Sequence, residues 1–282
     1  MFNPTLVVID AFVERLKENY RRIYGHLHPD YPEVLEFVGR MALENISNSD
    51  APYHDLHHTI MVTEVGQEIL VGRHIIDGNV SARDWLHFVI ALLCHDIGYV
   101  RGVCRGDRAG EYIIDEKGNT VALNPGATDA SLAPYHVERS KIFVTERFGR
   151  VELIDHIVIR ENIEFTRFPV PVGDKAKELD AYPGLLRAAD LIGQMADINY
   201  LRNGPRLFAE FQEIGANEKL GYRTPADLRT AYPKFFWSQV SPFIGPSLRY
   251  LGLTQQGKIW VASLYANVFI EEHREPWCGA ER

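Results

Sequence analysis

Residues 81–98 read SARDWLHFVIALLCHDIG. Ser81 followed three residues later by Asp84 is the pattern of a capping box, in which hydroxyl and carboxylate satisfy free N–H groups of a first helical turn. The helix so started is expected to continue to about His95. It contains Phe88–Cys94, the longest purely apolar run of the chain, and a helix of that kind is expected to be buried. His95-Asp96 stands at its end. An imidazole beside a carboxylate there is costly unless something satisfies both. A divalent cation would do so, since neutral imidazole and carboxylate are ordinary ligands of zinc, manganese or iron. The competing reading is a plain helix C-terminus, with a histidine near the dipole and Gly98 just beyond.

Helical patterning extends along most of the chain. Asn3-Pro4 reads as an N-cap with proline in the first turn, opening a helix to about Tyr24 with Val7, Phe12, Leu16 and Ile23 near one face. Further helices are expected over Pro32–Ile46, Tyr53–Leu70, Pro134–Phe148, Val151–Glu164, Lys175–Tyr200, Pro205–Ile214, Pro225–Val240 and Thr254–Glu272, with Ser47–Pro52 a loop. Thr224-Pro225-Ala226-Asp227 is a well-signalled helix start. Within the irregular segment Gly102–Thr128, Tyr112–Asp115 and Thr120–Leu123 flank Glu116–Asn119 and read as a β-hairpin. A long excursion of this kind is often a functional flap. The expected fold is all-α, with one small hairpin insertion. No composition shift marks a boundary, so residues 1–282 are read as one domain, with a core over about 50–200 and the helices of 205–272 packed on it.

The composition excludes several classes. Among 282 residues, 46% are hydrophobic and 24% charged, with 30 Lys+Arg against 38 Asp+Glu and a net charge of −8. This argues against a protein that covers nucleic acid or an anionic membrane. No apolar run approaches the roughly 20 residues of a membrane span, and the N-terminus does not read as a signal peptide. Three cysteines without a C-x-x-C pair point to a reducing, cytoplasmic setting. The eleven histidines are the unusual feature.

Two more clusters matter. In Tyr53-His54-Asp55-Leu56-His57-His58, a helix would put His54 and His58 on one face and turn His57 about 100° from His58; a polar helix start with Asp55 near the dipole is the plainer reading. In Leu185–Gln194, Asp190 interrupts an apolar helical face. A metal, or Arg187 three residues earlier, would keep that carboxylate ionised.

Taken in order, His58, His95-Asp96 and Asp190 make the sequence resemble the HD-domain superfamily of metal-dependent phosphohydrolases, whose signature is H…HD…D on a helical bundle. The run from Tyr53 to His58 looks like the Y-H-N-x-x-H motif of cyclic-nucleotide phosphodiesterases. The resemblance spans roughly residues 50–200. It implies that His58, His95, Asp96 and Asp190 ligate a first metal, that Asp96 bridges to a second ion where there is one, and that His54 donates a proton. Asp55 and Tyr99 depart from the pattern, standing where the cyclic-nucleotide enzymes carry asparagine and a further histidine. His136, in an H-x-x-x-S helix start, and His156 occupy the intermediate positions at which dinuclear members place two more histidines.

The resemblance implies one or two divalent ions (Mn, Mg, Zn, Co or Fe) and a small phosphorylated substrate, such as a nucleotide, with homo-oligomerisation left open. Arg101, Arg105, Arg160 and Arg167 are candidates for bidentate contact with phosphate. His26, His28, His74, His87 and His273 read as surface or packing residues. Two rival functions share the scaffold: a di-iron oxygenase with four histidines and two aspartates as ligands, and an inactive nucleotide-binding sensor.

Overall fold

The computed structural model describes residues 2–171, 173 and 178–274. Helix α4 (Ala82–Cys94) is its axis. Ser81 and Asp84 form the reciprocal capping box expected of them, and residues from Trp85 to Cys94 are buried on every side. Around α4 pack α2 (Tyr31–Ile46), α3 (Leu56–Asp77), α6 (His156–Glu164) and α7 (Tyr182–Met195), with α1 (Pro4–Tyr24) against α2. Helix α5 (His136–Phe148) lies along α6 and on a 3-10 turn, Ile97–Tyr99, that directly follows the His95-Asp96 pair. The remaining helices are α8 (Gly204–Glu213), α9 (Ala216–Leu220), α10 (Pro225–Phe235), α11 (Ser241–Leu251) and α12 (Gln255–Glu272). One continuous apolar core reaches from Ile9 of α1 to Val268 of α12. Among the described residues, no helix is long and apolar enough to cross a membrane.

The fold is all-α apart from one antiparallel hairpin, β1 (Glu111–Ile113) with β2 (Thr120–Ala122), paired Glu111 to Ala122 and Ile113 to Thr120. Its base is fixed to the turn after the His-Asp pair by Arg139 of α5. That guanidinium is fully buried and donates to the carbonyls of Gly98 (2.6 Å), Val100 (2.9 Å) and Ile113 (2.6 Å) and to both Asp107 carboxylate oxygens (2.9 Å each). A buried arginine is tolerable because its donors are satisfied in this way.

Several expected boundaries move. Asp55, not a residue before Tyr53, is the N-cap of α3 and accepts from the His58 N–H, so His54 stands outside the helix. Asp155 similarly caps α6, which starts at His156 instead of Val151 because that side chain takes the free amides of Ile157 and Val158. Pro134 lies in a 3-10 segment, Asp129–Tyr135, that leads into α5. The helix expected from Lys175 is described only from Tyr182, Lys175 being outside the described residues, and it ends at Met195. The stretch 225–240 closes with a π-helical turn, Phe236–Val240, before α11. Val7 is half exposed, the buried face of α1 being Ile9, Phe12, Val13, Leu16 and Tyr20.

Two glycines allow the approaches on which the site depends. A Cβ on Gly193 would lie 2.7 Å from the Val62 Cα, so α7 can press against α3 only without one. A Cβ on Gly98 would lie 2.0 Å from the His136 carbonyl oxygen. Gly98→Ala should therefore lower unfolding free energy by roughly 2–3 kcal/mol through overpacking. Gly245→Ala, whose added methyl meets nothing within 4 Å, should be neutral or slightly stabilising. Urea unfolding of both variants checks this, and equal stability would contradict the packing described.

Candidate metal centre

Four side-chain atoms from three helical elements converge beneath the end of α4. His58 Nε2, from the first turn of α3, lies 3.2 Å from Asp96 Oδ2 and 3.3 Å from Asp190 Oδ1 of α7. His95 Nε2 lies 3.2 Å from the same Asp96 oxygen and 3.7 Å from the same Asp190 oxygen. His95 is fully buried, and His58 and Asp96 nearly so. These spacings are short, yet His58 Nε2, His95 Nε2 and Asp96 Oδ2 have no hydrogen-bond partner. Lone pairs converging on a shared point, without hydrogen bonds among themselves, fit a cation better than a set of ion pairs. The groups His58–His95–Asp190 and His54–His58–Asp96 each bring their ligand atoms within 4.8 Å of one another.

The opposite nitrogens are anchored. His95 Nδ1 is 2.7 Å from the Leu92 carbonyl, His136 Nδ1 is 2.6 Å from the Ala133 carbonyl, and His54 Nδ1 is 2.6 Å from Glu210 Oε2. A carbonyl can only accept, so in His95 and His136 the proton sits on Nδ1 and Nε2 is left to face the cluster, the arrangement that orients histidine ligands. Ser140 Oγ locks the backbone between these histidines by donating to the His95 carbonyl (2.7 Å) and accepting from the Gly98 N–H (2.9 Å).

The charges support one another. Burial works against ionisation of Asp96 and Asp190, but His95 and His58 hold both carboxyls well below the usual range. Burial likewise opposes a charged His58, and the negative Asp190 and Asp96 carboxylates beside it override that, carrying the imidazole up to about 9. For His136 burial dominates and the value falls.

A family model described as Npun_R2479-like matches residues 2–274. The chain belongs to the Npun_R2479-like family. No curated protein and no solved structure matches it.

In this Npun_R2479-like chain the expected site residues fall into two groups. His54, His58, His95, Asp96, Asp190 and His136 come together, with His136 Nε2 3.7 Å from Asp96 Oδ1. The proximity of His54 and His58 (ring centroids 5.2 Å apart) does not come from one helical turn: His54 is placed by the loop before α3. His156 is not brought in. It sits where a Cβ on Gly149 would be 4.0 Å from its Nε2, past the far end of α5 from His136, a helix about 18 Å long at 1.5 Å per residue.

The arginines are engaged elsewhere. Arg101 pairs with Asp129 and Asp50, Arg160 with Glu116 of the hairpin, and Arg167 with Glu164 and Glu138, while Arg105 donates to the Glu146 carbonyl. In this arrangement each is held by carboxylates or a carbonyl of a neighbouring segment. Arg187 donates to the Phe165 carbonyl at 3.0 Å and lies over the Phe165 and Phe243 rings. His87 is a packing residue, buried between the Arg83 carbonyl and the Asp155 N–H.

Three residues escaped the sequence reading. Glu210 of α8 is buried and accepts from the backbone N–H groups of Tyr53 (2.6 Å) and His54 (3.0 Å) as well as facing the His54 ring. A glutamate three residues after the buried Leu207 on an amphipathic helix is a signal that could have found it. Glu213, one turn on, accepts from the Thr128 N–H and hydroxyl, at 2.7 and 2.6 Å, and from the Ser131 hydroxyl, on the approach to His136. Asp197 lies 3.1 Å from His57, which accounts for that histidine.

The His54–Glu210 pair carries a pH signature. Burial lowers the histidine's value but the Glu210 carboxylate raises it above the ordinary one, while Glu210 itself, resisting its own burial, is held low by His54. The raised histidine stabilises the fold fully below its ordinary pKa, and that contribution is lost as pH rises through the folded value; the depressed glutamate contributes above its ordinary pKa, and that is lost as pH falls through the folded value. The pair therefore contributes most between about pH 4.5 and 6.5. Glu210→Gln should cost about 2 kcal/mol at pH 5.5 and clearly less at pH 8.5, read from urea unfolding of chelator-treated protein. A cost that grows with pH would show that the pair is not charged as described.

Proposed function

We propose that this chain is a metal-dependent phosphohydrolase of the HD-domain type, cleaving a phosphoester of a nucleotide or another small phosphorylated metabolite. The observation that carries the reading is the convergence of His58, His95, Asp96 and Asp190, in the order H…HD…D, on atoms that lack partners of their own.

Those four residues would hold a divalent ion. When bound, such an ion lowers the pKa of water to near neutrality and offsets negative charge on phosphoryl oxygens. The chain's own residues account for the remaining requirements. His54 stands beside the cluster with Nδ1 held by Glu210, so its Nε2 is the proton-bearing atom free to serve a reacting group. As hydroxide, formed from water by loss of a proton to solvent, bonds to phosphorus and the ester P–O bond breaks, the leaving oxygen takes the Nε2 proton, which solvent then restores to His54. Glu210 keeps the imidazole charged until that moment and fixes its orientation. Tyr99, stacked on the His54 ring at 4.6 Å and 11°, holds its plane from the other direction. An imidazole suits this task because its ordinary pKa lies close to neutral pH.

The di-iron oxygenase reading calls for His156 as a sixth ligand, and that residue lies away from the cluster. Against an inactive nucleotide sensor stand the complete set of four ligand residues and the anchored His54.

The test is metal analysis followed by a screen of phosphomonoester and phosphodiester substrates with manganese, magnesium, cobalt and iron. Asp96→Ala and His58→Ala should lose both metal and turnover. His54→Ala should keep its metal and lose roughly 10²–10⁴-fold in turnover, the usual worth of a positioned proton donor. Full activity of Asp96→Ala would sink the mechanism, and tight nucleotide binding without phosphate release in any metal would point to the sensor instead.

A further inference from the structure

Helix α12 is apolar on two sides. Gly257, Trp260, Leu264, Asn267 and Val268 are buried against the core. Turned away from them, Ile259 (49% exposed), Phe269 (60%) and Ile270 (50%) stand at the surface together with Tyr265. Large apolar side chains left adjoining one another at a surface mark an interaction site. A groove lies along them, lined by Ala262, Tyr265, Ala266, Phe269 and Ile270 and by Trp237 of the turn before α11.

The spacing is that of a seam between helices. Ile259, Ala262, Ala266, Phe269 and His273 follow one another at intervals of three, four, three and four residues, the alternation by which one helix packs along another. His273 stacks on the Phe269 ring at 4.0 Å and extends the stripe to the end of the helix.

This seam matches itself when a second copy runs antiparallel. With Ala262 against Ala266 of the second copy, Ile259 meets Phe269 at both ends, and the small residues let the helices approach at the centre. The same register sets Lys258, on the flank of the seam, beside Glu272 of the other copy, and two-fold symmetry makes that pair twice. Among the described residues no carboxylate pairs with the exposed Lys258 ammonium. Glu272 Oε1 accepts from Trp237 Nε1 at 2.5 Å, which holds the carboxylate at the edge of the stripe with its second oxygen open. In a parallel pair Lys258 and Glu272 would lie about 21 Å apart along the axis, at 1.5 Å per residue.

We propose that the outer face of α12 is a self-association surface, and that its occupant is α12 of a second copy of this chain, packed antiparallel. The metal centre and its chemistry play no part in this.

The test is sedimentation of the full-length chain over a concentration series. It should reach the mass of two chains. Ala262→Glu and Phe269→Glu, both at exposed positions, should each sediment as single chains that still unfold cooperatively. Lys258→Glu should weaken the dimer roughly tenfold, the worth of two exposed pairs turned repulsive, and adding Glu272→Lys should recover it. A chain that stays single at every soluble concentration would overturn the proposal and leave this face to residues beyond 274 or to another protein. A dimer left intact by both Ala262→Glu and Phe269→Glu would also overturn it. A double variant no tighter than Lys258→Glu would contradict the antiparallel register.

Discussion

Two imidazoles and two carboxylates sit where the core of a helical bundle is most apolar, at the end of a helix buried on all sides. Charged groups in such a place must be compensated. Here their mutual distances are short, but three of the facing atoms find no hydrogen bond. The surroundings make sense as the means of holding these atoms on one point. Gly193 lets α7 close on α3, which brings Asp190 to His58. Gly98 lets the turn after Asp96 press on α5, and Ser140 and Arg139 bond that turn in place.

Around this centre lies a layer of polar anchors contributed from distant parts of the chain. Helix α8 reaches back with Glu210 to the segment that carries His54, and with Glu213 to the segment that leads to His136. One helix from outside the expected core of about 50–200 thus fixes both flanks of the site. The hairpin insertion is joined to the same region through Arg139 and Asp107.

The parts of this arrangement that are local in sequence were legible there. The Ser81–Asp84 box, the buried run to Cys94, the hairpin and the caps at Asn3 and Thr224 each depend on residues within a few positions of one another, and each forms as its pattern implies. Boundaries set by a competing side chain were not. Asp55 and Asp155 look like ordinary first-turn acids, yet each accepts a backbone N–H and so sets the helix start after itself. The ordered run His58, His95, Asp96, Asp190 was readable because His95-Asp96 ends an apolar helix, Asp190 interrupts one, and His58 stands in a histidine-rich helix start. Glu210 was not, because its partners Tyr53 and His54 lie more than 150 residues away in sequence. His156 shows the converse: a histidine in the expected order along the chain that lies beside Gly149, at the opposite end of α5 from His136.

His58, His95, Asp96 and Asp190 are proposed to form one coordination sphere. X-ray absorption at the metal edge of zinc- or cobalt-loaded protein measures that directly. The structure predicts two imidazole nitrogens per ion, visible by their ring scattering, with the remaining ligands oxygen. A sphere of oxygen alone, or one unaltered in the His95→Ala protein, would contradict it.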